Sequence, residues 1–200
     1  MTIFADRAGP DVVVLGIPRG GVIVGEAVAR ALGARFDVVI PRKVGAPGNP
    51  ELGIGAIAPG VRVLDERMIE VLRVSPAYLE REIAAQEREI ERRQRLYRAG
   101  RPPIDVHGRT TVVVDDGIAT GGTAAAALRW ARSRGAEVVV LAVPVAPGPS
   151  LTRLRAEADR IVVLETPEPF LAVGEWYRRF DQTTDDEVIA ALARVHGDAA

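Results

Sequence analysis

The sequence predicts an α/β protein: a doubly wound, mostly parallel five-stranded sheet carrying a small inserted subdomain. Three observations lead there. Short runs rich in Val and Ile alternate with helical stretches, the pattern of βαβ units joined by right-handed crossovers. The runs are continuously apolar rather than alternating, as strands buried on both faces are. Residues 42–105 then break the rhythm, first with glycine and proline and afterwards with one long charged helix.

Val12–Gly16 is read as the first strand. A helix over 21–32 follows, with Gly33 at the position after its end, where a left-handed residue is favoured. Residues 37–40 make the second strand, and residues 111–114, 137–143 and 160–164 make three more, separated by helices at about 122–134 and 149–158. Between the second and third core strands, residues 42–60 hold five glycines and three prolines. This composition predicts a long mobile loop or a hairpin, with short strands at 52–58 and 61–64. Ser75-Pro76 then supplies an N-cap and first-turn proline for a helix reaching about Arg98, stopped by Gly100 and Pro102-Pro103. Its apolar residues (Leu79, Ile83, Ile90, Tyr97) form a narrow stripe, so the helix should lie over the sheet or a neighbouring subunit. Glutamates interleave its arginines, which argues against a nucleic-acid surface.

Composition narrows the classes. The chain of 200 residues makes one domain, 1–200, with 48% hydrophobic residues and a formal net charge of -1. That balance points away from nucleic-acid binding through bulk charge. Without cysteine there is neither a disulfide nor thiolate chemistry. The polar start (Asp6, Arg7) and the interrupted apolar runs predict no signal peptide and no membrane span, so cytoplasm is the expected location. Lys43 is the single lysine among 26 basic residues.

Residues 111–123, Thr-Val-Val-Val-Asp-Asp-Gly-Ile-Ala-Thr-Gly-Gly-Thr, carry the most chemical information. An apolar strand ends on two adjacent carboxylates, Asp115 and Asp116, at the sheet edge where α/β folds bind ligands. Ala119, Thr120, Gly121, Gly122 and Thr123 then lead into an alanine-rich helix, whose free N–H groups and positive dipole end suit a phosphate. A sugar phosphate with bound Mg²⁺ would satisfy both halves. A P-loop is excluded because no Gly-Lys-Ser or Gly-Lys-Thr occurs. Gly16-Ile17-Pro18-Arg19-Gly20-Gly21 opens a second ligand loop, where glycine N–H groups and Arg19 can meet an oxyanion.

These motifs resemble those of the type I phosphoribosyltransferases. Asp115-Asp116 and the loop after them match that family's phosphoribosyl-diphosphate (PRPP) signature, and Arg19-Gly20-Gly21 matches its pyrophosphate loop. The stretches Gly-Ile-Pro-Arg-Gly-Gly, Arg-Lys-Val-Gly-Ala-Pro-Gly-Asn-Pro-Glu and Glu-Thr-Pro-Glu-Pro-Phe are similar to a bacterial subgroup with an extra segment. That segment is here about 61–105, an inserted helical subdomain. The resemblance implies core strands in the order 3-2-1-4-5, numbered along the chain. It also implies transfer of a 5-phosphoribosyl group from PRPP to an unidentified nucleobase, with Mg²⁺ held mainly by substrate and water and by Asp115 and Asp116. In that scheme the acidic pair holds the ribose hydroxyls, Ala119–Thr123 wraps the 5′-phosphate, and Arg19, Gly20 and Gly21 hold pyrophosphate.

By the same resemblance, Arg42 and Lys43 belong to a flexible catalytic loop that closes over substrate and excludes water. Relatives often hold the peptide before the first glycine of the pyrophosphate loop in the cis form, which implies a cis Arg19–Gly20 bond. Residues 165–200 would supply the hood and a C-terminal helix at about 185–194, with Phe170 and Trp176 stacking on the base. Phe170, Trp176, Tyr177 and Phe180 fall within eleven residues of a chain that is 4% aromatic; pinning the C-terminal helix is the other reading of this cluster. Only eleven residues precede the first strand, where many relatives place a helix that helps build the hood, and a homodimer is an assembly the resemblance allows. A non-catalytic PRPP or nucleotide sensor on the same fold is the alternative. A hydrolase would want a serine or histidine nucleophile near the strand ends, and neither is present.

Overall fold

The structure, a computed structural model, describes residues 9–197; Asp6, Arg7 and the last three residues of the 165–200 segment lie outside them. Five strands form one sheet in which every pairing is parallel: β1 (Val12–Gly16), β2 (Arg35–Val38), β6 (Thr110–Val114), β7 (Val138–Val145) and β8 (Arg160–Glu165). Alternate residues along each strand feed two separate cores. Val12, Val14, Phe36, Val38, Val112 and Val114 face α1 (Gly20–Leu32), α3 (Pro76–Arg98) and α6 (Asp185–Gly197). Val13, Leu15, Val113, Val139 and Leu141 face α4 (Gly122–Ser133) and α5 (Gly148–Leu154). A sheet apolar on both faces needs this double cover, which is why its strands are continuous apolar runs.

The strand order corrects one expectation. It is β2-β1-β6-β7-β8, so the core strands numbered along the chain run 2-1-3-4-5 rather than 3-2-1-4-5. The chain after β2 adds no further parallel strand outside β2. Residues 42–64 instead fold on themselves as a three-stranded antiparallel sheet of β3 (Arg42–Ala46), β4 (Asn49–Ala58) and β5 (Val61–Leu64). Two Pro-Gly pairs set this outcome. Pro47-Gly48 and Pro59-Gly60 each make a two-residue connection, with φ of 74° at Gly48 and 75° at Gly60. Connections so short permit only antiparallel neighbours.

The second strand also sits two residues earlier than expected. The ladder begins at once after Gly33, whose φ of 60° closes α1, and pairs Val13 with Arg35. Asp37 therefore lies inside the strand rather than at its start. Its buried carboxylate receives Arg98 Nε at 3.0 Å, while Arg98 Nη2 donates to the Val38 carbonyl at 2.7 Å. That pair fastens the C-terminal end of α3 to β2.

The long helix is capped as its sequence specifies: Ser75 Oγ accepts from Tyr78 N at 3.2 Å and Pro76 occupies the first turn. Ile83, Ile90 and Tyr97 of the predicted stripe are buried in the core shared with α1 and α6. A short helix, α2 (Glu66–Val71), precedes it. Among the described residues no helix is long and apolar enough to cross a membrane.

Candidate active site

β1 and β6 are adjacent and end together, with Gly16 opposite Val114. The loops that leave them therefore emerge side by side, and Ile17 N donates to the Val114 carbonyl at 2.8 Å. This brings Arg19-Gly20-Gly21 onto Asp115 and Asp116. A Cβ at Gly20 would stand 1.9 Å from Asp116 Oδ2, and one at Gly21 would stand 2.7 Å from Asp115 Cα. Only glycine allows the first turn of α1 to lie this close to the acidic turn. The cis peptide bond of this loop joins Pro18 to Arg19, one residue before the expected Arg19–Gly20.

Both carboxylates are half-buried at the sheet edge. Burial pushes Asp115 well above the usual carboxylate range, and the neighbouring Asp116 charge pushes it further. Burial also raises Asp116. Asp115 Oδ1 accepts Asp116 N at 2.9 Å, a bond within the acidic turn itself. No cationic side chain among the described residues contributes to the shift of either group. Two oxygen ligands of this kind suit a hard divalent cation such as Mg²⁺. No cluster of three or more His, Cys, Asp or Glu exists among the described residues, so such a cation would draw its remaining ligands from substrate and water.

Tyr177 closes one side of the acidic turn, its hydroxyl donating to the Asp116 carbonyl at 2.5 Å. Burial and then the two carboxylate charges push its phenol up to about 12. Val173 packs on Gly117, where a Cβ would meet Val173 Cγ1 at 2.5 Å. The 3-10 turn Val173–Trp176 thus covers the Asp-Asp-Gly corner. Phe170 is half-buried just ahead of this turn, and Trp176 is 46% exposed beside Tyr177.

On the other side, Gly121 has a φ of 84° and turns the chain into α4. Ala119 and Thr120 are exposed, and the loop rests on α5. Ser150 Oγ donates to the Ala119 carbonyl at 2.6 Å and Arg153 Nη2 to the Thr120 carbonyl at 3.1 Å.

The Arg42–Lys43 segment takes the hairpin form rather than that of a free loop. It is the start of β3, and Arg42 Nε donates to Gln86 Oε1 on α3 at 2.9 Å. Tyr78 of α3 donates to the Gly45 carbonyl at 3.0 Å. Val44, Ala46, Ile54 and Ile57 are buried in one core and Ala56 and Ala58 in the other, so this part of the hairpin is covered on both faces even in a glycine-rich segment. Only residues 47–53 are continuously exposed. Lys43 ion-pairs with Glu51 at 3.0 Å, so the acidic neighbour in the sequence is its partner.

The profile of the phosphoribosyl transferase domain matches residues 2–175. The chain belongs to this family. Rv0571c of Mycobacterium tuberculosis H37Rv, which carries the provisional name phosphoribosyl transferase, is 48% identical over 197 residues, covering 98% of this chain and 44% of that protein. The chain therefore spans less than half the length of this relative. A ribose-phosphate pyrophosphokinase of Mycobacterium leprae is 37% identical over 91 residues, 44% of this chain and 27% of that protein. Among solved structures, TT1426 of Thermus thermophilus is 44% identical with a TM-score of 0.78, covering 96% of this chain and 91% of that one.

Four contacts of this phosphoribosyltransferase domain were not foreseen from its sequence: those of Gln86, Ser150, Arg153 and the Tyr177 hydroxyl. The aromatic cluster was the one available signal for Tyr177. The others meet their partners across 44, 31 and 33 residues, and no local pattern marks such pairs.

Proposed function

We propose that this domain transfers the 5-phosphoribosyl group of PRPP to a nitrogenous base, with Mg²⁺-assisted loss of pyrophosphate. The observation that supports it most is the apposition of Gly20 and Gly21 to Asp116 and Asp115. It sets an anion-binding turn beside an acidic pair, so one substrate can engage both with different groups.

The reaction forms a bond from a base nitrogen to C1′ and breaks the bond from C1′ to the pyrophosphate oxygen, which leaves with the electron pair. Positive charge develops at C1′. Asp115 and Asp116 accept hydrogen bonds from the ribose hydroxyls and stabilise that charge, and their partial burial strengthens the interaction. Arg19 and the N–H groups of the Gly20-Gly21 turn bind the departing pyrophosphate, and Arg42 and Lys43 add charge. Ala119–Thr123 anchors the 5′-phosphate, remote binding energy that holds C1′ in place. Phe170 and Trp176 offer rings for the base to stack on. Mg²⁺, when bound, would neutralise pyrophosphate charge and polarise the ribose hydroxyls.

Mixing the protein with PRPP, Mg²⁺ and a panel of purine and pyrimidine bases tests the proposal. Base-dependent pyrophosphate release, lost in Asp115→Asn and Asp116→Asn, is expected. The packing of Arg42 on α3 favours a competing reading, a PRPP sensor, because a sensor has no need of a freely closing loop. PRPP binding without release for any base would overturn transfer in favour of sensing.

A further inference from the structure

We propose that Ser150 and Arg153 of α5 are positioning residues for the phosphate loop, turning the Thr120 and Gly121 N–H groups toward the 5′-phosphate. The inference rests on the function proposed above. Ser150 Oγ, 2.6 Å from the Ala119 carbonyl oxygen, and Arg153 Nη2, 3.1 Å from that of Thr120, hold two successive carbonyls on the α5 side. In a trans peptide the carbonyl of one residue and the N–H of the next point in opposite directions. Fixing the Ala119 carbonyl on α5 therefore turns the Thr120 N–H away from it, and fixing the Thr120 carbonyl does the same for Gly121. Neither N–H has a partner among the described residues. Two adjacent free N–H groups on one side of a tight loop are what an oxyanion recruits.

The bonds form a directed chain. A hydroxyl has one proton to give, and Ser150 gives it to Ala119 while accepting from Arg153 Nη2 at 3.0 Å. Arg153 thus fixes the Thr120 carbonyl directly and the Ala119 carbonyl through Ser150. α5 also backs the turn itself: a Cβ at Gly121 would lie 3.2 Å from Leu154 Cδ1.

Charge gives Arg153 a second use. Residues 117–124 contain no charged side chain, yet a phosphate monoester brings close to two negative charges. Arg153 makes no ion pair among the described residues, and its guanidinium touches the loop. The N-terminal end of α4 supplies partial positive charge, and Arg153, behind the loop on the α5 side, adds a full one at longer range. The ligand class is accordingly a sugar carrying a terminal phosphate monoester.

Calorimetric titration of the whole protein with ribose 5-phosphate and, separately, with Mg²⁺-pyrophosphate tests this on wild type, Arg153→Met, Arg153→Lys, Ser150→Ala and Ser150→Thr. Arg153→Met and Ser150→Ala should weaken ribose 5-phosphate binding by at least about tenfold, the size of a lost bond at a charged group. Pyrophosphate affinity should stay within about twofold, since its loop is elsewhere, and the melting temperature should hold. Arg153→Lys and Ser150→Thr should recover part of the loss, because each keeps its donor. Equal ribose 5-phosphate affinity in all five proteins would overturn the inference while leaving the function proposed above intact. So would parallel loss of both ligands with a lowered melting temperature, which marks a structural role alone. Wild type that binds neither ribose 5-phosphate nor PRPP overturns the function and this inference together.

Discussion

Gly20 sits so close to Asp116 that a methyl group on it would come within 1.9 Å of the carboxylate oxygen Oδ2. The glycine of one ligand loop thus sets where the carboxylate of the other can stand. Gly20→Ala should displace the Asp116 carboxylate, which can swing about its own side-chain torsions, and so spare the fold. Gly21→Ala meets backbone instead, at Asp115 Cα 2.7 Å away and the Val114 carbonyl 2.8 Å away. We expect Gly20→Ala to lower pyrophosphate release about 10²-fold with little change in melting temperature. Gly21→Ala should cost about 1–3 kcal/mol of stability, the range for forced overpacking. Kinetics and thermal melts of the two variants check the contrast; equal effects on both readouts would refute it.

The acidic pair should act through charge. Asp115→Asn and Asp116→Asn are each expected to lower turnover about 10²-fold or more, as removal of transition-state electrostatic support does. Near-normal rates in both would remove the pair from the mechanism.

The same pair should make the ligand-free fold sensitive to pH. Both carboxyls are raised in the folded protein, from a reference of 3.8, so the folded state holds their protons more tightly than the unfolded chain does. Their contribution to stability is full below the unfolded value and is lost as pH rises through the raised folded values. Asp115→Asn cannot lose a proton there. It should melt above wild type at pH 8, with the gap closing as pH falls toward 4. Melting curves across that range decide it, and a gap that widens on acidification would contradict the sign.

Tyr177→Phe deletes the hydrogen bond to the Asp116 carbonyl and leaves the ring on Phe180, 5.1 Å between centroids. A loss of about 1 kcal/mol is expected, together with faster hydrogen exchange over residues 173–177, whose cover of the acidic turn that bond secures. Unchanged exchange there would mean that Val173 against Gly117 holds the hood alone.

How much of this was legible in the sequence depends on the range of the signal. Continuous apolarity placed Val12–Gly16 without error, because burial on both faces leaves a local mark. Asp115 and Asp116 stood out because adjacent carboxylates after an apolar strand are a local pattern too. Sheet order was not legible: what lies beside β2 depends on whether residues 42–64 pair with it or with themselves. The two Pro-Gly pairs favour self-pairing, yet nothing local in them ties that choice to the order of the core strands. Arg42 shows the remaining gap. Its charge marked it for the site, while its anchor, Gln86, lies 44 residues further on in the sequence, on a helix whose polar face reads as plain solvent cover.

That anchor changes what the hairpin can do. Arg42 is half-buried, and burial, then Arg93 nearby, lowers its pKa, while Glu89 and Glu82 partly offset the shift. Gln86 fixes the guanidinium without neutralising it, its amide donating in turn to Glu82 at 2.9 Å. A glutamate in its place would form an ion pair and compete with pyrophosphate. Gln86→Glu should therefore weaken Mg²⁺-pyrophosphate binding about tenfold, with the new ion pair offset in stability by loss of the bond to Glu82 and repulsion from its carboxylate, whereas a mobile Arg42 would be indifferent to the change. A segment that closes over substrate would be confined to the exposed residues 47–53. Hydrogen exchange with and without Mg²⁺-PRPP should show protection gained there, and residues 54–58, whose side chains lie largely in the cores, protected in both states. Equal exchange of 47–53 in the two states, with Gln86→Glu binding pyrophosphate as wild type does, would make the hairpin scaffold and Arg42 a structural residue.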